Sequence, residues 1–509
     1  MRTTVGRTDR VVVVGAGLGG LACAIRLAAA GRDVTVIERA PAPGGKAGRL
    51  DTGGYTFDTG PTVLTGLDII AGVFGAVGED VDAWLDLIRL DPAYRAHFPD
   101  GSTLDVIADS AQMAGEVARV CGPREADGYL RFVSYARALW QLEREDFIER
   151  NLDRPRDLRA AGLFQLAAMG GFRRLSSKIN SFFRDPRTRR VFSFQAMYAG
   201  LAPHEALALY AVIAYLDTIA GVYFPRGGLH ALPLALTAVA RRHGVGFRFG
   251  ERVERVEVTG DRATAVILAE GQRVQADVVV LNPDLPAAYR DLLPAGERWR
   301  PWWLGPVRYA PSCVVLQLGA TAAYSRIAHH NIHFGRTFRK GYDEVIHAGR
   351  LMSDPSLLVT NASRSDPTLA PRGGQTYCIV VPAPNLVSGA RRGPGRRLDW
   401  PGGLADDYRA EIIGTLERRG YLGLSASIDT ARMVTPADWA EAGMVAGTPF
   451  NLAHTMRQTG PFRPGTLHPT LDNVVFVGSG TQPGVGVPMA LVSGRLAAER
   501  ITGPVSAPH

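Results

Sequence analysis

Four consecutive valines, Val11–Val14, are followed at once by the glycine-rich segment Gly15–Gly20, which reads GAGLGG. A β-branched run this short is typical of a parallel strand that is buried on both faces. Strong helix formers then occupy Leu21–Ala30, and Asp33–Ile37 has the pattern of a second strand that ends at Glu38. This order predicts a βαβ unit, and therefore an α/β fold built on a parallel sheet.

The glycine spacing predicts a dinucleotide site in the first turn of this unit. Gly15 permits the tight turn, Gly17 lets the backbone approach a pyrophosphate, and Gly20 allows the helix to pack closely on the strand. The anionic pyrophosphate is expected at the helix N-terminus. Glu38 follows Gly20 by 18 positions, where a carboxylate accepts hydrogen bonds from ribose hydroxyls and disfavours a 2′-phosphate.

A basic loop favours a flavin over a nicotinamide dinucleotide. Pro43–Arg49 (PGGKAGR) precedes a predicted hairpin at Leu50–Phe57 and the segment Asp58–Thr62. Paired glycines beside Lys46 or Arg49 suit a backbone that lies against phosphates and an isoalloxazine edge. A solvated surface loop is the alternative.

A second glycine-rich loop lies near the C-terminus. Asn473–Val477 predicts a buried strand, Gly478–Pro488 a loop, and Met489–Ile501 an amphipathic helix that Pro488 starts. No strand and ribose-binding acid follow, so a second dinucleotide site is disfavoured. The helix N-terminus is instead expected at the N1/C2 carbonyl side of a flavin, which gains negative charge on reduction. A purely structural turn is the alternative.

The rest of the chain predicts a cofactor domain that is interrupted by other structure. Residues 78–220 are mostly helical in periodicity, and strands at Gly246–Val258, Arg262–Leu268, Gln272–Val274 and Ala276–Leu281 are assigned to the nucleotide domain. The predicted architecture is a Rossmann-type cofactor domain (1–77, 221–284 and 441–509) interleaved with an α+β substrate domain. The remaining parts are a helical, membrane-associating region (78–220) and the second part of the substrate domain (285–440).

The composition limits the cellular compartment and the binding partners that are expected for this protein. The chain has 509 residues, a net charge of +8 and four cysteines without metal-ligand spacing, which fits a reducing, cytoplasmic setting. The sequence shows no secretion signal and no uninterrupted apolar run long enough to span a bilayer.

Contact with anionic lipid on the inner face of the cell membrane is expected from a basic and aromatic stretch, with an ordinary amphipathic cap as the alternative. Its residues are Arg131, Phe132, Tyr135, Arg137, Trp140, Phe147, Phe164, Phe172, Arg173, Arg174, Lys178, Phe182, Phe183, Arg184, Arg187, Arg189 and Arg190. A nucleic-acid partner is not expected, since no RNP-like or zinc-finger motif is present.

Two further groups of polar residues bear on the chemistry. Asp217 lies within an apolar segment and is read either as a satisfied core acid or as a residue lining a substrate tunnel. His329, His330 and His333 lack a carboxylate at ligand spacing, so no metal site is expected.

Taken together, these motifs resemble the bacterial phytoene desaturases, which are FAD-dependent, amine-oxidase-like flavoproteins. The resemblance spans almost the whole chain. Besides the loops already described, its carriers are DTGPTVL from Asp58, RVFSFQAMYAG from Arg190, FPRGGLHALP from Phe224, NPDLPAAYRDLL from Asn282, HHNIHFG from His329 and VGSGTQPGVGVP from Val477. The chain departs from the family pattern at Gln482, where His is common, and at Met489-Ala490, where Gly-Val is usual.

The resemblance implies stepwise desaturation of the polyene precursor phytoene towards lycopene, with hydride transfer to FAD and with quinone or oxygen as the final acceptor. Isomerisation of a polyene, non-catalytic carotenoid binding, and oxidation or ketolation of another carotenoid are the alternatives. A carboxylate that stabilises a cationic intermediate is assigned to Asp157, with Arg156 beside it, although a surface ion pair is the alternative. The candidate cofactor-binding residues are Gly15, Gly17, Leu18, Gly19, Gly20, Glu38, Arg39, Gly45, Lys46, Gly60, Pro61, Thr62, Val253, Gly478, Gly480, Gly486 and Val487.

Overall fold

A parallel sheet rich in buried valines forms the first layer of the fold. The computed structural model describes residues 1–296, 306–388 and 398–503. Within them, five parallel strands lie in the order β19-β13-β1-β2-β9. Their bounds are β1 Arg10–Val14, β2 Asp33–Glu38, β9 Gly246–Phe249, β13 Val278–Leu281 and β19 Val474–Phe476. The sheet is therefore assembled from three segments that are far apart in the sequence.

Helices cover this sheet through close contacts between small residues. The helix α1 (Leu18–Ala29) packs against α14 (Val487–Thr502) and α9 (Ala231–Arg242). At the α1–α14 crossing, a Cβ on Gly494 would lie 2.7 Å from both the Ala22 Cβ and the Gly19 carbonyl oxygen. The two helices therefore approach each other more closely than larger side chains would permit.

A separate antiparallel meander follows β9. Its strands are β10 (Val253–Thr259), β11 (Arg262–Leu268) and β12 (Arg273–Gln275). The predicted continuous strand over 246–258 is wrong, because the chain turns at Gly250, which has φ +76°, and separates β9 from β10. Of the strands assigned to the nucleotide domain, β9 and β13 join the parallel sheet and the other three form the meander.

A mixed seven-stranded sheet forms the second layer, in the order β18-β14-β17-β16-β15-β6-β7. The helices α11 (Phe338–Ile346), α12 (Ala405–Arg418) and α13 (Pro436–Glu441) belong to the same half of the chain. Apolar side chains of α12 pack on β14 and β17 to form their shared core. The strand bounds are β6 Tyr94–His97, β7 Thr103–Val106, β14 Ser312–Ala320, β15 His330–His333, β16 Leu357–Thr360, β17 Gln375–Ala383 and β18 Ile428–Val434.

Residues 110–220 form a helical lobe. Aromatic side chains fill its core, including Tyr129, Phe132, Phe183 and Phe192. Single π-helical turns follow α4 and α8, at Arg144–Ile148 and Leu216–Ala220. The helices are α3 Ser110–Cys121, α4 Pro123–Glu143, α5 Ala160–Ala168, α6 Leu175–Asn180, α7 Pro186–Val191 and α8 Ala211–Tyr215.

Short elements connect these layers. The hairpin of β3 (Arg49–Thr52) and β4 (Tyr55–Asp58) was predicted. The helical expectation for residues 78–106 is wrong, because β5 (Leu87–Arg89), β6 and β7 lie there. In this segment Pro92 and the Asp100-Gly101 turn interrupt any helix. The strand β5 pairs with β8 (Tyr223–Pro225), and the remaining helices are α2 (Leu67–Phe74) and α10 (Leu285–Ala287).

The α/β class and the discontinuous parallel sheet are confirmed, whereas the domain boundaries remain predictions. None of the helices in the described part of the chain combines the length and the apolar character that a membrane span requires.

Candidate flavin site

The turn between β1 and α1 has the geometry that its glycines predict. Gly15 adopts φ +101°, and a Cβ on Gly20 would collide with the Gly15 carbonyl oxygen. Gly17 precedes α1, whose first residues are Leu18, Gly19 and Gly20, and no side chain caps this helix N-terminus. Its backbone N–H groups are therefore available to an anion.

Glu38, at the carboxyl end of β2, is tied directly to this turn. Its Oε2 accepts a hydrogen bond from the Ala16 N–H at 2.7 Å, and its Oε1 accepts one from the Ala40 N–H at 2.9 Å. The buried carboxylate thus lies beside the glycine loop, where the carboxyl ends of the parallel strands meet. This is the position that a ribose-binding acid requires.

The basic loop lies against the same turn. The Gly44 N–H donates to the Ala16 carbonyl at 2.9 Å, and a Cβ on Gly45 would be 3.4 Å from the Gly17 Cα. The Lys46 Nζ donates to the Pro449 carbonyl at 2.7 Å and to the Ser479 Oγ at 3.2 Å. Lys46 therefore links the basic loop to the C-terminal glycine-rich loop.

The charges of Lys46 and Asp284 influence each other at this site. Burial lowers the pKa of Lys46, while the charge of Asp284 opposes that shift. Burial likewise raises the pKa of Asp284, against the opposing effects of Lys46, the Val445 N–H and Asn451. Gly60 is packed on the Lys46 carbonyl so tightly that a Cβ would not fit.

Asn282 joins the first and last glycine-rich loops. Its Nδ2 donates to the Gly15 carbonyl at 3.2 Å and would be 2.7 Å from a Cβ on Gly17. Its Oδ1 would be 3.0 Å from a Cβ on Gly478. Three chain segments, namely the first glycine loop, the basic loop and the C-terminal loop, therefore converge on one point above the parallel sheet.

The C-terminal loop leads into a second uncapped helix. Gly480 contacts Leu285 and Asn451, and Gly486 precedes α14 without a side-chain cap. Val487 is the first residue of α14 and is buried. The positive end of this helix dipole therefore lies at the C-terminal glycine-rich loop. Lys46 contacts the same loop through Ser479.

A buried arginine that sequence reasoning missed supports this loop. The Arg463 Nε donates to the Thr481 carbonyl at 2.9 Å, and its Nη2 donates to the Ser479 carbonyl at 2.6 Å. Burial lowers the pKa of Arg463 to about 10. Only the basic character of Arg463 was visible in the sequence, because its partners are backbone carbonyls 16 to 18 residues away.

Gln482, where the family commonly has His, also has a structural role. Its Oε1 accepts from the Leu152 N–H at 3.1 Å, and its Nε2 donates to the Leu152 carbonyl at 2.7 Å and the Gly460 carbonyl at 3.0 Å. The side chain therefore fastens the C-terminal loop to the segment that follows α4.

Thr62 connects the site to the seven-stranded sheet. The Thr360 Oγ1 lies 3.2 Å from the Thr62 Oγ1 and 2.9 Å from the His330 Nδ1. Thr62 and Thr360 also line a small cavity together with Asp58, where burial raises the carboxyl pKa to about 6. Pro61 precedes Thr62 and is partly exposed.

The remaining predicted residues lie in other surroundings. Arg39 is exposed and donates to the Ala442 carbonyl at 2.6 Å. Val253 is buried in β10, two residues after Glu251, whose N–H donates to the Glu38 carbonyl.

The two proposed catalytic residues belong to a short turn, Pro155–Asp157. The Asp157 carboxylate accepts from the backbone N–H groups of Asp153 and Arg154 at 2.9 and 2.8 Å, and Arg156 is exposed. The structure therefore gives Asp157 a capping contact, and the catalytic assignment of both residues stays a prediction.

The histidines are held by neutral partners. The His329 Nδ1 contacts the Ser365 Oγ at 2.7 Å, and the His333 Nε2 contacts the Tyr421 hydroxyl at 3.0 Å. Burial lowers the pKa of His329, His330 and His333, which keeps all three neutral. No group of three metal-ligating side chains occurs within residues 1–296, 306–388 and 398–503.

These features fit FAD on structural grounds. Two helix N-termini without side-chain caps suit the pyrophosphate and the flavin carbonyl edge, and glycines leave room for backbone approach. Glu38 would hold the ribose, and Lys46 lies between the two loops that would border the flavin. Bound FAD would supply the hydride acceptor.

Comparison with known proteins agrees with this geometry. Residues 18–502 match the flavin containing amine oxidoreductase family. The chain is 50% identical over 504 residues to a phytoene dehydrogenase from Streptomyces griseus, covering 99% of this chain and 97% of the relative. It is 37% identical over 499 residues to a zeta-carotene-forming phytoene desaturase from Myxococcus xanthus, covering 97% and 93% of the two chains.

Solved structures support the same fold. An oxidoreductase from Methanosarcina mazei superposes with a TM-score of 0.59 at 17% identity, covering 96% of this chain and 99% of the other. The chain is therefore a member of the FAD-binding, flavin containing amine oxidoreductase family, and within it of the phytoene desaturases.

Proposed function

We propose that this protein catalyses the FAD-dependent, stepwise desaturation of phytoene to more conjugated carotenes, towards lycopene, with quinone or oxygen as the final acceptor. The observation that carries the proposal is the full-length, 50% identity to a phytoene dehydrogenase. The structure supports it with a flavin site that adjoins a lobe rich in buried aromatic and aliphatic side chains. A hydrocarbon substrate offers nothing to hydrogen-bond, so the site that binds it must be lined by apolar side chains.

Two contributions of the protein itself to this reaction are positioning and exclusion of water. Lys46, Asn282 and Arg463 hold the loops of the flavin site in one arrangement. The aromatic lobe keeps water away from a cationic intermediate, which water would otherwise capture. These roles require no metal ion and no activated nucleophile.

The experiment is an anaerobic single turnover on anionic liposomes that contain phytoene, followed by repeated turnover after a quinone or oxygen is supplied to reoxidise the flavin. We expect the flavin to bleach while absorption bands of longer polyenes appear, and extraction identifies the products. Products that stop at zeta-carotene would contradict the lycopene endpoint. Isomerised or oxygenated carotenoid without desaturation, or binding without bleaching, would refute the proposed reaction.

A membrane-facing surface follows from the nature of the substrate, and we place it on α5 and the loop after it. Phe164 is 75% exposed and Phe172 is 40% exposed, with the exposed Arg173 and Arg174 beside them. The other aromatics of the basic stretch are buried or partly buried, and Lys178 lies over the Tyr135 ring at 4.2 Å. Exposed rings next to arginines match an anionic lipid surface, which supports a location on the inner face of the cell membrane.

Liposome flotation tests this surface. The double variant Phe164→Ser/Phe172→Ser is expected to lose most binding to anionic vesicles, and high salt is expected to weaken binding of the unchanged protein. Leu422→Ser is the matched control, since Leu422 is 77% exposed in the other half of the molecule. Unchanged flotation of the double variant would refute the assignment.

A further inference from the structure

The π-helical turn after α8 holds an acid without a hydrogen-bonding partner. Asp217 is 6% exposed, and no described residue donates a hydrogen bond to its carboxyl group. Of the two interpretations left open by the sequence, a satisfied core acid is therefore not what the structure contains. A buried, unpaired carboxyl is costly, and π turns often occur at functional sites.

The chain on either side of this turn contacts two loops of the flavin site. Before the turn, the hydroxyl of Tyr210, which immediately precedes α8, donates to the His454 carbonyl at 2.8 Å. The His454 ring packs on Gly484 of the C-terminal loop. After the turn, the Tyr223 N–H donates to the carbonyl of Leu64, two residues after Thr62.

The surroundings of Asp217 are aromatic and uncharged. The titratable groups that interact with it electrostatically are the hydroxyls of Tyr94 and Tyr198. Burial raises the pKa of both far above 10, so both stay neutral. Phe194 lies between these two rings, 5.9 Å from each in edge-to-face contact. Rings of this kind accommodate a polyene and stabilise positive charge.

We propose that Asp217 is a catalytic base for the desaturation, accepting the proton that the substrate loses in each step. Forming one C=C bond removes two hydrogens from adjacent carbons. One leaves with its electron pair to the oxidised cofactor, and the other leaves as a proton to the Asp217 carboxylate. The electron pair of that second C–H bond becomes the new π bond, and the carboxyl releases its proton before the next step. This inference rests on the proposed function.

Burial alone raises the pKa of Asp217 to about 7, which suits proton acceptance and release near neutral pH. Turnover of the unchanged enzyme is therefore expected to rise with pH through about 7 and then level off. Tyr94 and Tyr198 stay neutral over this range, and a contribution from Asp58, whose pKa burial raises to about 6, is separated from that of Asp217 by the Asp217→Asn variant.

The test uses the full chain with FAD and three variants. Asp217→Asn is expected to lower kcat about 100-fold or more, to leave KM and FAD affinity nearly unchanged, and to abolish the rise with pH. Asp217→Glu is expected to recover at least about a tenth of the activity. Glu143→Gln is the matched control, because Glu143 is an equally buried acid (5% exposed) whose Oε1 has no partner, at the end of α4. It is expected to stay within about threefold of the unchanged enzyme.

The outcomes separate the two claims. An Asp217→Asn enzyme with nearly full activity, or one that loses FAD or fails to fold, would overturn the catalytic assignment. A large loss confined to Glu143→Gln would transfer the role to Glu143. If the unchanged enzyme does not desaturate phytoene, the proposed function fails first, and the role of Asp217 fails with it.

Discussion

At the residue scale, Glu38 shows how one side chain serves both the fold and the cofactor. Its two carboxylate oxygens accept from the N–H groups of Ala16 and Ala40, and the same carboxylate would hold the ribose. The sequence predicted its place from spacing alone, because the βαβ unit fixes the distance between the glycine turn and the end of β2. Arg463 had no such spacing rule, and its role appears only after the chain has folded.

Glu38→Ala should therefore weaken FAD binding about 10- to 100-fold, since the buried Ala16 N–H, the partly buried Ala40 N–H and the ribose lose their acceptor. Titration of the apoprotein with FAD, followed by flavin fluorescence, measures the change. Asp33→Ala is the control, because Asp33 is exposed at the opposite end of β2. Equal affinities for all three proteins would contradict the role of Glu38.

Asp217 predicts an unusual dependence of stability on pH. Its pKa rises from an ordinary 3.8 to about 7 on folding, so the unfolded chain releases this proton first. The resulting loss of stability begins as pH rises above about 4 and is complete above about 7, reaching at most about 4 kcal/mol. Asp217→Asn removes this loss, so the variant should be more stable than the unchanged protein at pH 8 and similar to it near pH 4.5.

Urea unfolding of both proteins at the two pH values, with FAD saturating, checks this expectation. A variant that is less stable at pH 8 would show that Asp217 makes a stabilising contact. If Asp217→Asn is more stable than the unchanged protein but turns over more slowly, then Asp217 is kept for catalysis at a cost in stability.

At the element scale, local patterns located the strands and helices of the flavin site but not their partners. The valine run, the helix after it and the C-terminal helix α14 lie within a few residues of their predicted bounds. The seven-stranded sheet was not foreseen, because its neighbours β15 and β6 are more than 200 residues apart in the chain. Pairing over that distance leaves no periodic signal in a single sequence.

The close contact of α1 with α14 gives an element-scale prediction. Gly494→Ala should lower the free energy of unfolding by about 1–3 kcal/mol, because the new methyl group meets Ala22 and the Gly19 carbonyl at 2.7 Å. Gly115→Ala is the control, since Gly115 lies on an exposed face of α3 with open space around its Cα. That change should stabilise the protein by up to about 1 kcal/mol. Thermal unfolding distinguishes them, and equal shifts would contradict the packing argument.

At the scale of the whole molecule, the cofactor sheet and the helical lobe depend on each other. The chain leaves the sheet after β2, returns for β9 and β13, leaves again, and returns for β19. Whatever binds between the layers is therefore enclosed by segments from both ends of the chain. The predicted domain ranges remain compatible with this path, although contacts such as Gln482 with Leu152 cross between them.

We expect a truncated variant that ends at Asp472, and therefore lacks β19 and α14, to bind no FAD. Residues 1–472 retain the first glycine turn, but α1 loses its partner helix and β13 becomes an exposed sheet edge. The measurements are flavin absorbance after purification and the cooperativity of thermal unfolding. A fragment that unfolds cooperatively and retains FAD would show that the N-terminal segments suffice.

The path of the sheet also sets an order of events during synthesis. The strand β19 is translated nearly 200 residues after β13, its neighbour in the sheet. At roughly 5–20 residues per second, a ribosome needs about 10–40 s to cover that interval. Throughout it the nascent chain exposes the apolar surfaces that β19 and α14 later cover, so it is a substrate for chaperones. Cofactor insertion is then a late event that must wait for β19 and α14, and the supply of flavin at that moment helps to decide how much of the newly made chain survives.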